Sequence, residues 1–149
     1  MKEKYAYVMM IRDKWWREFC NLTNEGKTEL SYVKTGLAAP TSASMLFFYV
    51  TKPVGEMAGY AEFIERKLGE PESLWNTYGS ESALRSKGQY EQLIGDEQKV
   101  SFIRFRNLHP VSKPLVLSNL TALLGVKKLA RKGFYIDKQT ADKLVALMT

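Results

Sequence analysis

The run MLFFYVT, Met45–Thr51, leaves a chain of 149 residues little freedom. Its aromatic and apolar residues read as a strand, and Lys52-Pro53 stops it because proline cannot supply a ladder donor. The strongly apolar part, Met45–Val50, is the longest in the chain and is far too short to span a bilayer. A sheet must therefore be built around it from the other segments.

Several segments carry the same strand signal. YAYVMMI (Tyr5–Ile11) reads as a strand, and TELSYVKT (Thr28–Thr35) as another, with Leu30 and Tyr32 on one face. Between them Asp13 suits a helix N-cap, Trp15, Trp16, Phe19 and Cys20 follow at helical spacing, and Gly26 ends the unit. GLAAPTSAS is a loop, and VGEM is the turn into AGYAEFIER. In AGYAEFIER, Tyr60, Glu62 and Ile64 alternate with Ala61, Phe63 and Glu65, so strand is preferred and helix is the rival.

PESLWNTYG begins like a helix, with Pro71 and Glu72 in its first turn, and KGQYEQLIG is a second short one. VSFIRFRNL (Val100–Leu108) returns to strand pattern, and its change of parity at Ile103 and Phe105 predicts a bulge. HPVSKPLVL is expected to be a loop, Ser118 or Asn119 to cap LTALLG, and KQTADKLVALM to form an amphipathic helix after Asp137. Strands and helices do not alternate regularly. Five or so strands therefore predict a single α+β domain over residues 1–149, a small, partly closed β-barrel with peripheral and inserted short helices.

Charge narrows the partners. The formal net charge is +6, and residues 100–149 hold nine Lys/Arg against two Asp/Glu. An excess so lopsided favours a polyanion. VKKLARKGFYI concentrates it: if Leu129–Lys132 continue a helix, Lys127, Lys128, Arg131 and Lys132 share one broad face able to follow a phosphate backbone. The same cations also suit the solvated end of any helix capped by Gly133.

Cys20 and His109 are single residues of their kinds, which excludes an internal disulfide and a Cys/His metal site within one chain. Gly26–Thr28 lacks the upstream glycine and spacer of a phosphate-binding loop, and no cofactor is expected. His109, before Pro110, reads as a surface or structural residue with no Ser/His/Asp set around it. The N-terminus brings Glu3 and Arg12 too early for a signal segment, so a cytoplasmic protein is expected.

Three pieces together carry a resemblance: GKTELSYVKT; LFFYVTKPVGEMAGYAEF; and PESLWNTYG followed by a strand ending in FRNL and by KPLVLSNL. Over residues 27–132 the chain resembles the PUA-like superfamily, close to its ASCH and EVE branches, and is most similar there to a family of small archaeal proteins. The resemblance implies a compact β-barrel that binds RNA or, in some branches, a modified base in a pocket beside the barrel. The ASCH pattern Gly-x-Lys-x-x-Glu is here shortened to Gly26-Lys27-Thr28-Glu29, and a spacing of two still sets lysine and glutamate on one strand face.

The expected function is a nucleic-acid-binding module, RNA rather than DNA, with a pocket for a base or nucleotide. Lys27, Glu29, Lys34, Lys52, Lys127, Lys128, Arg131 and Lys132 are the binding candidates. Trp15, Trp16, Tyr49, Trp75 and Tyr135 are the base-stacking candidates, since unstacked bases are read on aromatic planes. Two alternatives remain. One is a small amidohydrolase acting on a modified nucleoside with Lys27, Thr28, Glu29 and Glu62, and the other is a protein-interaction or regulatory domain. The partners expected are RNA or another nucleic acid, a modified nucleoside, or a second copy of the chain, and no membrane.

Overall fold

The computed structural model describes residues 4–36 and 40–149, so residues 37–39 of the expected loop lie outside the described residues. Strand β1 (Ala6–Ile11) leads into helix α1 (Asp13–Asn24), then β2 (Glu29–Lys34), β3 (Met45–Val50) and β4 (Glu56–Gly69). Helix α2 (Pro71–Tyr78), a 3-10 turn at Gly79–Glu81 and helix α3 (Lys87–Ile94) precede the long β5 (Val100–Val116). Helix α4 (Leu117–Leu124), a short β6 (Phe134–Ile136) and helix α5 (Lys138–Met148) close the chain.

The strands form one six-stranded sheet in the order β2-β5-β4-β3-β1-β6, in which β1 and β3 run parallel and the other neighbours antiparallel. Its end strands do not pair, so hydrogen bonds do not close the sheet. They nevertheless come near each other: the Lys34 ammonium on β2 donates to the carbonyl of Lys132, just before β6, at 3.4 Å. The Tyr7 hydroxyl donates to the same oxygen at 2.7 Å.

Local signals explain most boundaries, and seven expectations need correction. Arg12, not Asp13, is the N-cap of α1. Asp13 sits in the first turn, where its carboxylate suits the helix dipole and pairs with Arg17 at 2.6 Å. Glu56 and Met57 of the expected turn already belong to β4. Val116 is the N-cap of α4, so Ser118 and Asn119 fall inside its first turn. Phe134–Ile136 is a strand that the pattern did not disclose. Lys127–Lys132 form turns, not a helix.

The segment HPVSKPLVL, expected to be a loop, is largely strand. Beyond Arg106, β2 has ended, so β5 pairs only with β4 and its other edge is open. An open edge tolerates Pro110 and Pro114, whose missing donors would break a central strand. The expected bulge at Ile103–Phe105 is displaced. The parity change there arises because both faces are covered, with Phe102 packed toward α2 and α3 while Ile103 and Phe105 face α1. The extra residue opposite Phe105 and Arg104 lies on β4, at Ile64. The extra residue within β5 comes later: Glu62 faces Arg106 but Tyr60 faces His109, and Asn107 takes a positive φ of 55°. Asparagine accepts that conformation more readily than most residues.

Three apolar clusters hold the layers. Trp16 and Phe19 of α1 cover one face against Met9, Phe48, Ile103 and Phe105. Leu120 of α4 with Ala141, Leu144 and Met148 of α5 cover the other against Val8, Phe47 and Met57. Leu74, Tyr90 and Ile94 pack on Val33, Val100 and Phe102 at the β2–β5 end.

Gly59 is where α1 and β5 crowd β4. A Cβ there would lie 2.5 Å from the Trp16 ring and 2.7 Å from the His109 carbonyl oxygen. Gly59→Ala is expected to cost about 2–3 kcal/mol, since the ring on one side and the backbone on the other cannot both give way. A denaturant midpoint unchanged from wild type would contradict this.

Candidate nucleic-acid interface

One sheet face across β2, β5 and β4 gathers charge in register. Arg106 faces Glu29 on one side and Glu62 on the other, and Arg104 projects from the same face two residues earlier. Arg104 is largely buried and engaged by three carboxylates. Its Nε and Nη2 donate to the two oxygens of Glu81 at 2.9 and 3.0 Å, and its Nη1 donates to Glu65 at 2.6 Å. Glu29 lies 3.4 Å from Nη2, and the Tyr78 ring lies 4.6 Å from the guanidinium carbon. Ser31 also donates to Glu81, at 2.7 Å.

Burial alone would raise the Glu81 carboxyl, but the hydrogen bonds from Arg104 and Ser31 outweigh it and hold its pKa below the ordinary value. The hydrogen bond from Arg104 likewise lowers Glu65, and the Glu81 contact raises Arg104 itself. A guanidinium with four of its five N–H donors committed to carboxylates braces β2, β4, β5 and the 3-10 turn. The sequence reading missed this brace. The one available signal was a charged residue, Arg104, set among the apolar residues of VSFIRF.

The predicted site residues separate into distinct places. Lys27 donates to the Ser80 carbonyl at 2.5 Å and lines an open cleft of about 390 Å³ with Trp75, Ser82, Arg85 and Glu18. Thr28 is exposed, and among the described residues no hydrogen bond ties it to Lys27, Glu29 or Glu62. Glu62 accepts from Arg106 at 2.9 Å and also from Asn107, and these bonds lower its pKa. Lys52 is exposed in the β3–β4 turn. Lys34 stands at the far end of β2 from Glu29, and five steps of strand separate them by about 17 Å. Lys27 and Glu29 thus do not share a hollow with the C-terminal cations.

Lys34 does join those cations. Its contact with the Lys132 carbonyl brings it beside the exposed turns that carry Lys127, Lys128, Arg131 and Lys132. Partial burial pulls the Lys34 pKa down from the usual lysine value. Among the described residues none of Lys34, Lys127, Lys128, Arg131 and Lys132 has a carboxylate partner, unlike Arg17, Lys67, Arg85, Lys87, Arg104, Arg106 and Lys138. Other cations such as Lys52, Arg66 and Lys99 also have none among the described residues, so what marks the five is their grouping. The cationic turns flank a mostly apolar groove of about 370 Å³, with Lys128 at its lip and Leu129, Phe134 and Tyr135 in its wall.

The stacking candidates divide as well. Trp16 is 8% exposed and packs on Phe48, and Tyr49 is 6% exposed. Neither offers a face to a base, because both are core. Trp15 is half-buried between α1 and the third cluster, with Lys14 over its ring. Trp75 is stacked on Tyr90 at 4.7 Å. Tyr135 meets Tyr7 edge-on, and its hydroxyl accepts from the Thr41 amide at 3.0 Å.

An aromatic pair outside that set is better placed. Tyr60 and His109 stack with centroids 4.9 Å apart and planes 26° from parallel. They line a hollow of about 500 Å³ with Tyr5, Met45, Glu62 and Asn107. The β5 bulge creates this arrangement, since the extra residue turns Leu108 into the α1-side core and brings His109 over Tyr60. A lone histidine in an expected loop gave no hint of it. Among the described residues no group of three or more His, Cys, Asp or Glu side chains is arranged to hold a metal ion, and no helix is long and apolar enough to cross a membrane.

No family model matches the chain. It is 25% identical over 132 residues to an ASCH domain-containing ribonuclease of Zymomonas mobilis subsp. mobilis, covering 89% of this chain and 87% of that one. Its fold is similar to the crystal structure of ASCH from Zymomonas mobilis, with a TM-score of 0.79 at 23% identity over 99% of this chain and 98% of that one. A serine-to-alanine variant of the Zymomonas mobilis protein gives a TM-score of 0.81 at 21% identity, with both chains wholly covered.

Proposed function

As a member of the PUA-like superfamily near its ASCH branch, this chain is, we propose, a binding protein for single-stranded RNA. The sheet curls into a partial barrel, and the cations gathered where its two ends approach hold the phosphate backbone. The observation that carries the reading is the set of five cations without carboxylate partners, Lys34, Lys127, Lys128, Arg131 and Lys132, brought together from distant parts of the chain. Phosphates would supply the counter-charge that the described residues do not. The likeness to a ribonuclease supports RNA as the polyanion.

A fluorescence-anisotropy titration with a short, labelled single-stranded RNA tests this directly. Five phosphate contacts predict that affinity falls roughly 100-fold as salt rises from about 50 to about 200 mM. No binding at the lower salt would refute the reading. Chromatography of the same mixtures reports any strand scission, and a parallel incubation with acylated nucleosides reports amide hydrolysis. Among the described residues no hydrogen bond joins Thr28 to Lys27 or Glu62, which predicts that no free base is released from the acylated nucleosides, because a nucleophile and its activating group must be within hydrogen-bond reach.

A further inference from the structure

The RNA reading uses the cationic turns and leaves the hollow over β3, β4 and β5 unassigned. Its walls include the half-buried Tyr60 ring and the exposed His109 imidazole; Tyr60 lies between Phe47 and His109, so the outer face of the imidazole is the planar surface left for a ligand. Planar surfaces of this kind are what an unstacked base requires. About 500 Å³ is room enough for a purine with its ribose.

The rim is polar and only partly committed. Glu62 accepts from Arg106 Nε and from Asn107. That contact fixes the Arg106 guanidinium while leaving its two terminal amino groups without a hydrogen-bond partner among the described residues. The ring nitrogens of His109 are likewise without one. A planar surface beside a steered, half-free guanidinium is a site with a definite preference, because the two Nη groups of arginine match two adjacent acceptors in one plane.

We infer that this hollow holds one unpaired guanine of the bound RNA, stacked on the outer face of His109, which Tyr60 backs, with its O6 and N7 toward Arg106. The inference rests on the RNA-binding reading above. Guanine presents two acceptors on that edge, whereas adenine places an amino donor where guanine has O6 and so opposes a second donor. Glu62, which lines the hollow, acts as the positioning residue that ties the Arg106 guanidinium to its edge at 2.9 Å, and Asn107 holds Glu62 in turn.

The test uses the intact chain and three labelled RNAs that differ at one position in an otherwise uridine strand: guanine, adenine or an abasic ribose. Wild type is expected to prefer guanine over adenine by about tenfold, and to bind the abasic strand more weakly still. His109 and Arg106 are exposed, so His109→Ala and Arg106→Gln leave the core intact, which thermal unfolding checks. His109→Ala should weaken the guanine strand several-fold without changing the abasic one, and Arg106→Gln should level guanine and adenine. Equal binding of all three strands by wild type, or indifference to both substitutions, overturns the inference while leaving RNA binding intact. Failure of every strand to bind at low salt overturns the RNA reading, and this inference with it.

Discussion

Arg104→Met is expected to destabilise the fold by about 3–5 kcal/mol, because it leaves the Glu81 carboxylate buried without its counter-charge. Arg104 and Glu81 side chains are 12% and 15% exposed, so neither can turn to water without opening the sheet. Two strands flank β5 at this point, and the 3-10 turn docks through the same guanidinium. For a domain of this size the loss corresponds to roughly a 10 °C fall in melting temperature. Arg104→Lys should recover only part of it, since a point charge cannot reproduce two parallel bonds to one carboxylate.

The pH dependence follows from the direction of the Glu81 shift. Its folded-state pKa is depressed below 4.5, so its stabilising contribution is complete above that value and is lost as pH falls through the folded pKa. Removing Arg104 leaves burial, which opposes the charged form. The difference between wild type and Arg104→Met should therefore be largest near neutrality and shrink under acid. A difference that grows on acidification would show that the brace acts through packing and not through charge.

The second large effect concerns function. Replacing Lys127, Lys128, Arg131 and Lys132 together by alanine is expected to weaken RNA binding by at least about 100-fold at low salt. All four side chains are exposed and stand in turns. The Lys132 backbone carbonyl, which alanine retains, still accepts from Tyr7 and Lys34, and the contacts of Ala130 and Leu129 are untouched. Melting should therefore stay close to wild type while affinity collapses, a separation that surface substitutions allow and core substitutions do not. Equal affinity in the quadruple variant would remove these cations from the interface.

Much of the architecture was legible because strand and helix periodicities differ. Met45–Val50 and Ala6–Ile11 carry dense apolar signals, and Asp137 caps α5 by accepting from the Thr140 amide as its sequence position implies. What escaped depended on neighbours. Pro110 and Pro114 argue against a strand until it is known that β2 ends opposite Arg106 and leaves the rest of β5 an open edge. Phe134–Ile136 is too short to announce itself and exists because β1 offers it an edge.

The site was harder to read for the same reason. The cationic stretch was visible as composition, but its union with Lys34 depends on the approach of the sheet's ends. Lys27 and Glu29, two residues apart and similar in chemistry to a family motif, proved to lie about a strand's length from those cations. Tyr60 and His109 meet only because of one extra residue in β5, and residue types alone cannot locate that slip.

The salt dependence of RNA affinity, compared between wild type and the variant lacking the four cations, bears most directly on what this surface is for. Single-stranded RNA releases roughly 0.7 counterion per neutralised phosphate, so a double-logarithmic plot should show a slope near −3.5 for wild type and near −0.7 once only Lys34 remains. Parallel lines of equal slope would mean that the backbone is held elsewhere, and the cationic turns would then be no more than a solvated surface.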